Sequence, residues 1–477
     1  MGCGLFTEEM VEGFQKLLAR PDVDAKAMEN LVESLPVGAP ERYLSAVNEL
    51  LKTEHAFTEL KVLQGLVEHP KLQTLLIEEG TQAFNGLMKS AGGDLARAER
   101  RLGALDMLKR QAFDLGGAAE YERVLSKLAA GDVETERALR HARRAQQMAG
   151  NLVPEVQDLV VSALKSADRK AFNPAKDALR KRLLPLASPE QVATFERALL
   201  TSWRVEQLEL AGRIQGLSVA ERIALEELTI EQWNTILSST ERRGDWFARK
   251  PAEAIFNVKG LVAEEVFYVS PEFRAALDRA GKLALERGLD PGSVRLVRRP
   301  RGKTISEVSG KTGVGELTDG IIVANPFKTV DGKLVTDFDE MHVLTVIESK
   351  SPSNVGQLAG GKPGAKLPKK WVPDDTLPFE ANYFGQLSED FERFSELPTR
   401  LGQVWHPPEK VRISRSWTEW IAVHPPGNPI PAEVGERLLG KVGESRPLFD
   451  KIKPVEGLVR DDILNKLAEQ LFRVVKL

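Results

Sequence analysis

The chain has 477 residues, with 66 Lys and Arg set against 69 Asp and Glu, a formal net charge of −3, and 42% hydrophobic residues. That length and composition give about two to four globular domains, and the charge excludes a protein that binds polyanions through bulk positive charge while leaving room for a local basic cleft. A single cysteine, Cys3, excludes an internal disulfide and a thiolate zinc site, and it fits a reducing, cytoplasmic compartment or a lifetime too short for oxidation to matter.

The first residues, "MGCGLFTEEM", bring Gly2 and Cys3 together as a dually acylated terminus would. Phe6 stands where myristoylation wants Ser or Thr, and Thr7 comes one position late, so acylation is set aside. No apolar run reaches the ~20 residues of a membrane span, and no basic stretch leads an apolar one as in a classical signal peptide. Export, if it happens, uses another address.

From Thr7 to about Arg242 the apolar residues recur at three- and four-residue spacing, which predicts helix after helix. Leu60, Leu63, Leu66 and Val67 share one side of the first clear example. Pro70 ends that helix or opens the next, and Gly80 is a plausible stop. Ser188 followed by Pro189 opens another as N-cap and first helical residue. No fixed-period repeat is present. Residues 1–242 therefore read as an all-helical region for delivery, shielding or partner binding, and 243–477 as an α/β or α+β domain with a central mixed sheet flanked by helices.

In the second part, "EAIFNVKGLVAEEVFYV" and "SPEFRAALDRAGKLALERGL" predict two helices, the latter capped by Ser270 with Pro271 next. Strands are predicted at "SVRLVRR", "GELTDGIIVANPF", "KLVTDFDEMHVLTVIESK" and "VRISRSWTEWIAVHP", with an Asp331-Gly332 turn joining the second to the third. An amphipathic helix, "RDDILNKLAEQLFRVVKL", follows at the C-terminal end.

Chemistry concentrates at "VIESK". Alternation along a strand points Glu348 and Lys350 to one side and Ser349 to the other. Asp319 in "LTDGII" is the natural third member, because Gly320 permits close backbone approach and an adjoining hairpin strand would set it beside Glu348. Two close carboxylates resist joint ionisation unless a cation neutralises them, and Mg²⁺ or Mn²⁺ is the usual answer. Read alone, Glu-x-Lys is an exposed strand edge decorated with charge.

Glu264 in "KGLVAEEVF", Asp319 in "ELTDGIIV", and Glu348 with Lys350 in "VIESK" resemble, in order, the PD-(D/E)XK nuclease superfamily, and in particular the restriction-endonuclease-fold toxin domains of bacterial polymorphic toxins and effectors. The resemblance spans about residues 250 to 425. Thr318 replaces the literal proline. A helix at "YFGQLSEDFERF" makes Gln386 a weaker match. Glu264 and Glu265 face about 100° apart on a helix, so one enters a site; Glu264 shares the face of Gly260, leaving Glu265 to solvent or a neighbouring cation.

The resemblance implies a metal-dependent endonuclease with Asp319, Glu348 and Glu264 around Mg²⁺, Lys350 positioning or deprotonating water, DNA favoured over RNA as substrate, and an immunity protein as partner. Arg295, Arg298, Arg299, Arg301 and Lys303, with Lys362, Lys366, Lys369 and Lys370 on a Gly/Pro-rich loop, are candidate phosphate contacts; the loop reads equally as a solvated segment. Trp371 and Tyr383 could stack on bases or pack a core. Two other readings stand beside the toxin: a housekeeping DNA-processing nuclease, and a non-catalytic helical adaptor with a nuclease-like domain. The histidines lack paired ligand spacing, and "GKTGVGELTDG" lacks the order of a phosphate loop.

Overall fold

The structure is a computed structural model describing residues 65–210, 214–299, 301–305, 312–316, 318–349, 410–413, 418–424, 426–427 and 451–476, with Lys26. Contacts divide the chain into two compact units, Met1–Glu206 and Gln207–Leu477. Among the described residues no helix is long and apolar enough to cross a membrane.

The first unit is helical where described: α1 Pro70–Ser90, α2 Leu95–Leu115, α3 Ala118–Ala130, α4 Val133–Ala149, α5 Pro154–Leu164, α6 Arg169–Leu183 and α7 Pro189–Leu210, which runs on past the division. Asp94, Asp132 and Asp168 each accept the backbone amide three residues on and so cap α2, α4 and α6. Ser188 and Gln191 cap α7 reciprocally. Pro70 opens α1, and Gly80, the expected stop, is a kink at φ 80° from which the helix resumes. Helix α1 packs on α2 and α3, α2 on α4, α4 on α5 and α5 on α6, around buried Leu72, Leu76, Leu105, Leu139 and Leu164. Phe172 stacks on Trp203 at 4.6 Å, and the Trp203 indole donates to the Ser166 carbonyl at 2.8 Å. Fully buried Glu206 contacts His141 at 3.0 Å and pairs with Arg144.

The second unit begins with α8 Val219–Glu227, α9 Ile230–Arg242 and α10 Gly244–Arg249, followed by α11 Pro251–Phe267 and α12 Pro271–Glu286. Helices α8 and α9 pack against α11, so the contact division falls upstream of the 242/243 boundary read from the sequence. Periodicity reports that these segments are helices, not which core their apolar faces cover. Ser270 caps α12 by accepting from Phe273 N at 3.0 Å, as its sequence predicts.

The strands are β1 Leu289–Arg298, β2 Arg301–Ile305, β3 Thr312–Glu316, β4 Gly320–Val330, β5 Lys333–Thr336, β6 Glu340–Ser349, β7 Lys410–Ile413, β8 Glu419–His424 and β9 Lys451–Glu456; helix α13 Asp461–Val474 follows. The main sheet runs β1-β4-β6-β8-β9, antiparallel through β1, β4 and β6 and parallel through β6, β8 and β9, with β5 added to β4 and β7 to β6. It is thus the mixed sheet expected.

Three expected strands are each divided. "GELTDGIIVANPF" breaks before Gly320, so that β3 pairs with β2 in a separate ribbon. "KLVTDFDEMHVLTVIESK" breaks at Asp337–Asp339, and "VRISRSWTEWIAVHP" gives both β7 and β8. The Asp331-Gly332 turn joins β4 to β5 with φ of 50° and 76°, the left-handed pair that a two-residue hairpin requires.

Helix α12 covers one face of the sheet, setting Phe273, Ala276, Ala280 and Ala284 against Ile322, Ala324, Leu344, Ile347 and Ile421. Helix α11 packs against β6 and α13. Burial runs almost unbroken along β6, as it does in a strand covered on both faces.

Candidate functional site

The site is built where β4 and β6 meet. Gly320, the first residue of β4, pairs with Ile347, and Asp319 just before it reaches the backbone of Ser349, the residue after Glu348. Ile347 belongs to the core under α12, and alternation turns Glu348 to the opposite face. Glu348 is buried and Asp319 half-buried.

Each carboxylate has a fixed neighbour. Ser349 N donates to Asp319 Oδ2 at 2.6 Å. The Thr318 hydroxyl lies 2.9 Å from Glu348 Oε2 and 2.6 Å from the Ile347 carbonyl oxygen, and its one proton serves one of them at a time. Thr318 therefore does at this position what a proline cannot, orienting the glutamate across the strand pair.

The last turns of α11 supply the next layer. Glu264, four percent exposed, is gripped by Arg299, whose Nε lies 3.0 and 3.1 Å from the two carboxylate oxygens while Nη2 pairs with Oε2. Tyr268, one turn on, donates to the Asp319 carbonyl at 2.9 Å and lies 3.4 Å from Glu264 Oε1. Burial, then the nearby carboxylates of Glu264 and Asp319, push the Tyr268 phenol well above its ordinary value, so it remains a donor. Arg299 N closes the arrangement by donating to the same Asp319 carbonyl at 2.8 Å.

Glu265 faces another way and is buried, and of the two expected outcomes, solvent or a neighbouring cation, it meets the cation. Arg298 pairs with it at 3.0 Å and lies 5.1 Å from the centre of the Tyr268 ring. Burial raises the Glu265 pKa against the opposing pull of Arg298.

Of the residues singled out in the sequence, Glu264, Asp319, Glu348, Arg298 and Arg299 gather here. Arg301 and Lys303 fall on β2. Arg295 is turned to Asn325 Oδ1 at 2.5 Å. Lys350, Gln386, Lys362, Lys366, Lys369, Lys370, Trp371 and Tyr383 lie outside the described residues. Sequence reasoning missed Tyr268 and Thr318 as partners. Tyr268 had a signal, its place four residues after Glu264 on one helix face.

Among the described residues no group of three or more His, Cys, Asp or Glu side chains stands ready to hold a metal. Asp319 and Glu348 nevertheless fit Mg²⁺ in kind: hard oxygen donors from adjacent strands, where one or two carboxylates suffice. Glu264 is engaged by a guanidinium and a phenol instead. Compared with family models, with curated proteins and with solved structures, the chain shows no match to any of them.

Proposed function

We propose that the second unit is a Mg²⁺-dependent nuclease of the PD-(D/E)XK type that hydrolyses nucleic-acid phosphodiesters, DNA in preference to RNA, and that it acts as a bacterial toxin or effector. The observation that carries the catalytic part is that Asp319 Oδ2 accepts from Ser349 N, which sets the aspartate beside the residue that follows Glu348. The toxin setting, with its immunity protein, rests on the sequence resemblance alone.

Asp319 and Glu348 would hold the cation. Bound there, a divalent ion supplies charge to the phosphate oxygens and acidifies water. Ser349 N and Thr318 fix the two carboxylates, and Tyr268 fixes the backbone of Asp319. Lys350 is assigned, by the resemblance, to position or deprotonate the attacking water and to offset charge on the phosphoryl group.

The test is incubation of the purified protein with plasmid DNA and with total RNA, in Mg²⁺ or in EDTA. Cleavage in Mg²⁺ alone is expected, with Asp319→Asn and Glu348→Gln each slower by ~100-fold or more at unchanged circular dichroism. Absence of cleavage of either substrate in any divalent metal would sink the proposal in favour of a non-catalytic adaptor. Expression of the parent should arrest growth where these variants do not; growth unaffected by an active parent would move the enzyme to DNA processing.

A further inference from the structure

We infer that Arg299, oriented by Glu264, contacts the phosphate backbone at the Asp319 edge of the site, and that Glu264 serves this arginine and not the cation. This rests on the nuclease reading above and deepens it.

Three observations converge on the arginine. Its backbone lies in the left-handed region at φ 45°, a conformation that an Arg holds only when its surroundings impose it. What imposes it is visible: Arg299 N donates to the Asp319 carbonyl, just where the chain leaves β1 for β2. The strained turn thus ties the arginine directly to the residue proposed to carry the cation. Second, one edge of the guanidinium, Nε and Nη2, is gripped by Glu264, which is nearly buried, so the planar group is held in one orientation. Third, the arginine side chain itself is 27% exposed, against 4% for the glutamate. The inner partner is sealed while the outer one reaches solvent. A guanidinium held in one orientation and partly exposed beside these carboxylates suits a phosphate oxygen.

For Glu264 to join the cation it would have to release a two-point ion pair and move off the Tyr268 hydroxyl. A buried carboxylate so engaged gains little by exchanging a guanidinium for a metal, and the arginine would then be left uncompensated at the rim.

The test uses the full chain. Asn tolerates left-handed backbone, so Arg299→Asn removes the cation without adding strain. Binding to a duplex of about 30 base pairs is followed by fluorescence anisotropy in EDTA across a salt series, and Arg299→Asn should weaken it several-fold and lower the salt slope by about 0.9, the share of one phosphate contact. Arg299→Lys keeps the charge but not the fork, and should keep the slope while losing affinity. Calorimetric titration with Mn²⁺ should show Glu264→Gln within about threefold of the parent while Asp319→Asn falls by about tenfold or more.

An Arg299→Asn slope equal to that of a parent that binds and cleaves DNA overturns the inference and leaves the nuclease reading standing. So does a Glu264→Gln that loses Mn²⁺ as fully as Asp319→Asn. A parent that cleaves nothing overturns both.

Discussion

A β-carbon on Gly320 would sit 2.6 Å from the Tyr268 hydroxyl oxygen and 3.2 Å from Leu296 Cδ1. The glycine is therefore required by space, since its backbone is not among the left-handed positions. It lets a phenol reach the carbonyl of the preceding Asp319. Gly320→Ala should cost ~1–3 kcal/mol in urea denaturation. In a Tyr268→Phe background that cost should shrink, because the clashing oxygen is gone; equal costs in both backgrounds would place the strain elsewhere. At this scale the sequence made the Asp-Gly pair readable as a point of close approach. It could not name what approaches, because Tyr268 lies at the end of a helix, 51 residues away. The same holds for Arg298 and Arg299, which read as a basic cluster for nucleic acid and are found gripping Glu265 and Glu264.

Helix α8 shows how an element is assigned to a unit by a few side chains. Its capping box joins Ser218 and Glu221, and Glu221 also accepts from Arg460 N at 3.0 Å and Nε at 2.9 Å, tying the start of α8 to the segment before α13. Burial alone would raise the Glu221 pKa. Hydrogen bonds from Arg460 and Ser218 outweigh it and hold the carboxyl at about 2, below the usual 4.5. A depressed carboxylate stabilises fully above its unfolded pKa, and the contribution fades as pH falls from there through the folded value. Glu221→Gln should lower stability by ~1–2 kcal/mol at neutral pH, the half-exposed Arg460 limiting the effect. Its stability should then fall less steeply than the parent's between about pH 5 and pH 2 in acid titrations. A parallel decline would remove Glu221 as a source of acid sensitivity. Helix starts were legible because caps are local, as Ser188 and Ser270 illustrate. Strand breaks were not: the divisions before Gly320 and at Asp337–Asp339 depend on which neighbour each half finds.

Among the described residues a helical core surrounds Leu72, Leu76, Leu139 and Trp203 in the first unit, and another lies between α12 and the sheet in the other. Units with separate cores unfold as separate cooperative transitions unless a large interface couples them. Calorimetry should accordingly resolve two transitions, with Glu206→Ala depressing one by ~3 kcal/mol or more, as Arg144 and buried His141 lose the carboxylate between them, and Glu221→Gln depressing the other. A single transition moved by both substitutions would contradict this division. The sequence by itself determined the elements whose causes are local: capped helices, the Asp331-Gly332 turn, apolar strands, and a Glu-x-Lys at the end of one of them. Tertiary structure alone decided that α8 and α9 belong with the sheet, that Asp319 reaches the backbone beside Glu348, and that Glu264 meets an arginine. These depend on which faces and strands come together, and residues distant in the chain meet by packing and register, which no local pattern encodes.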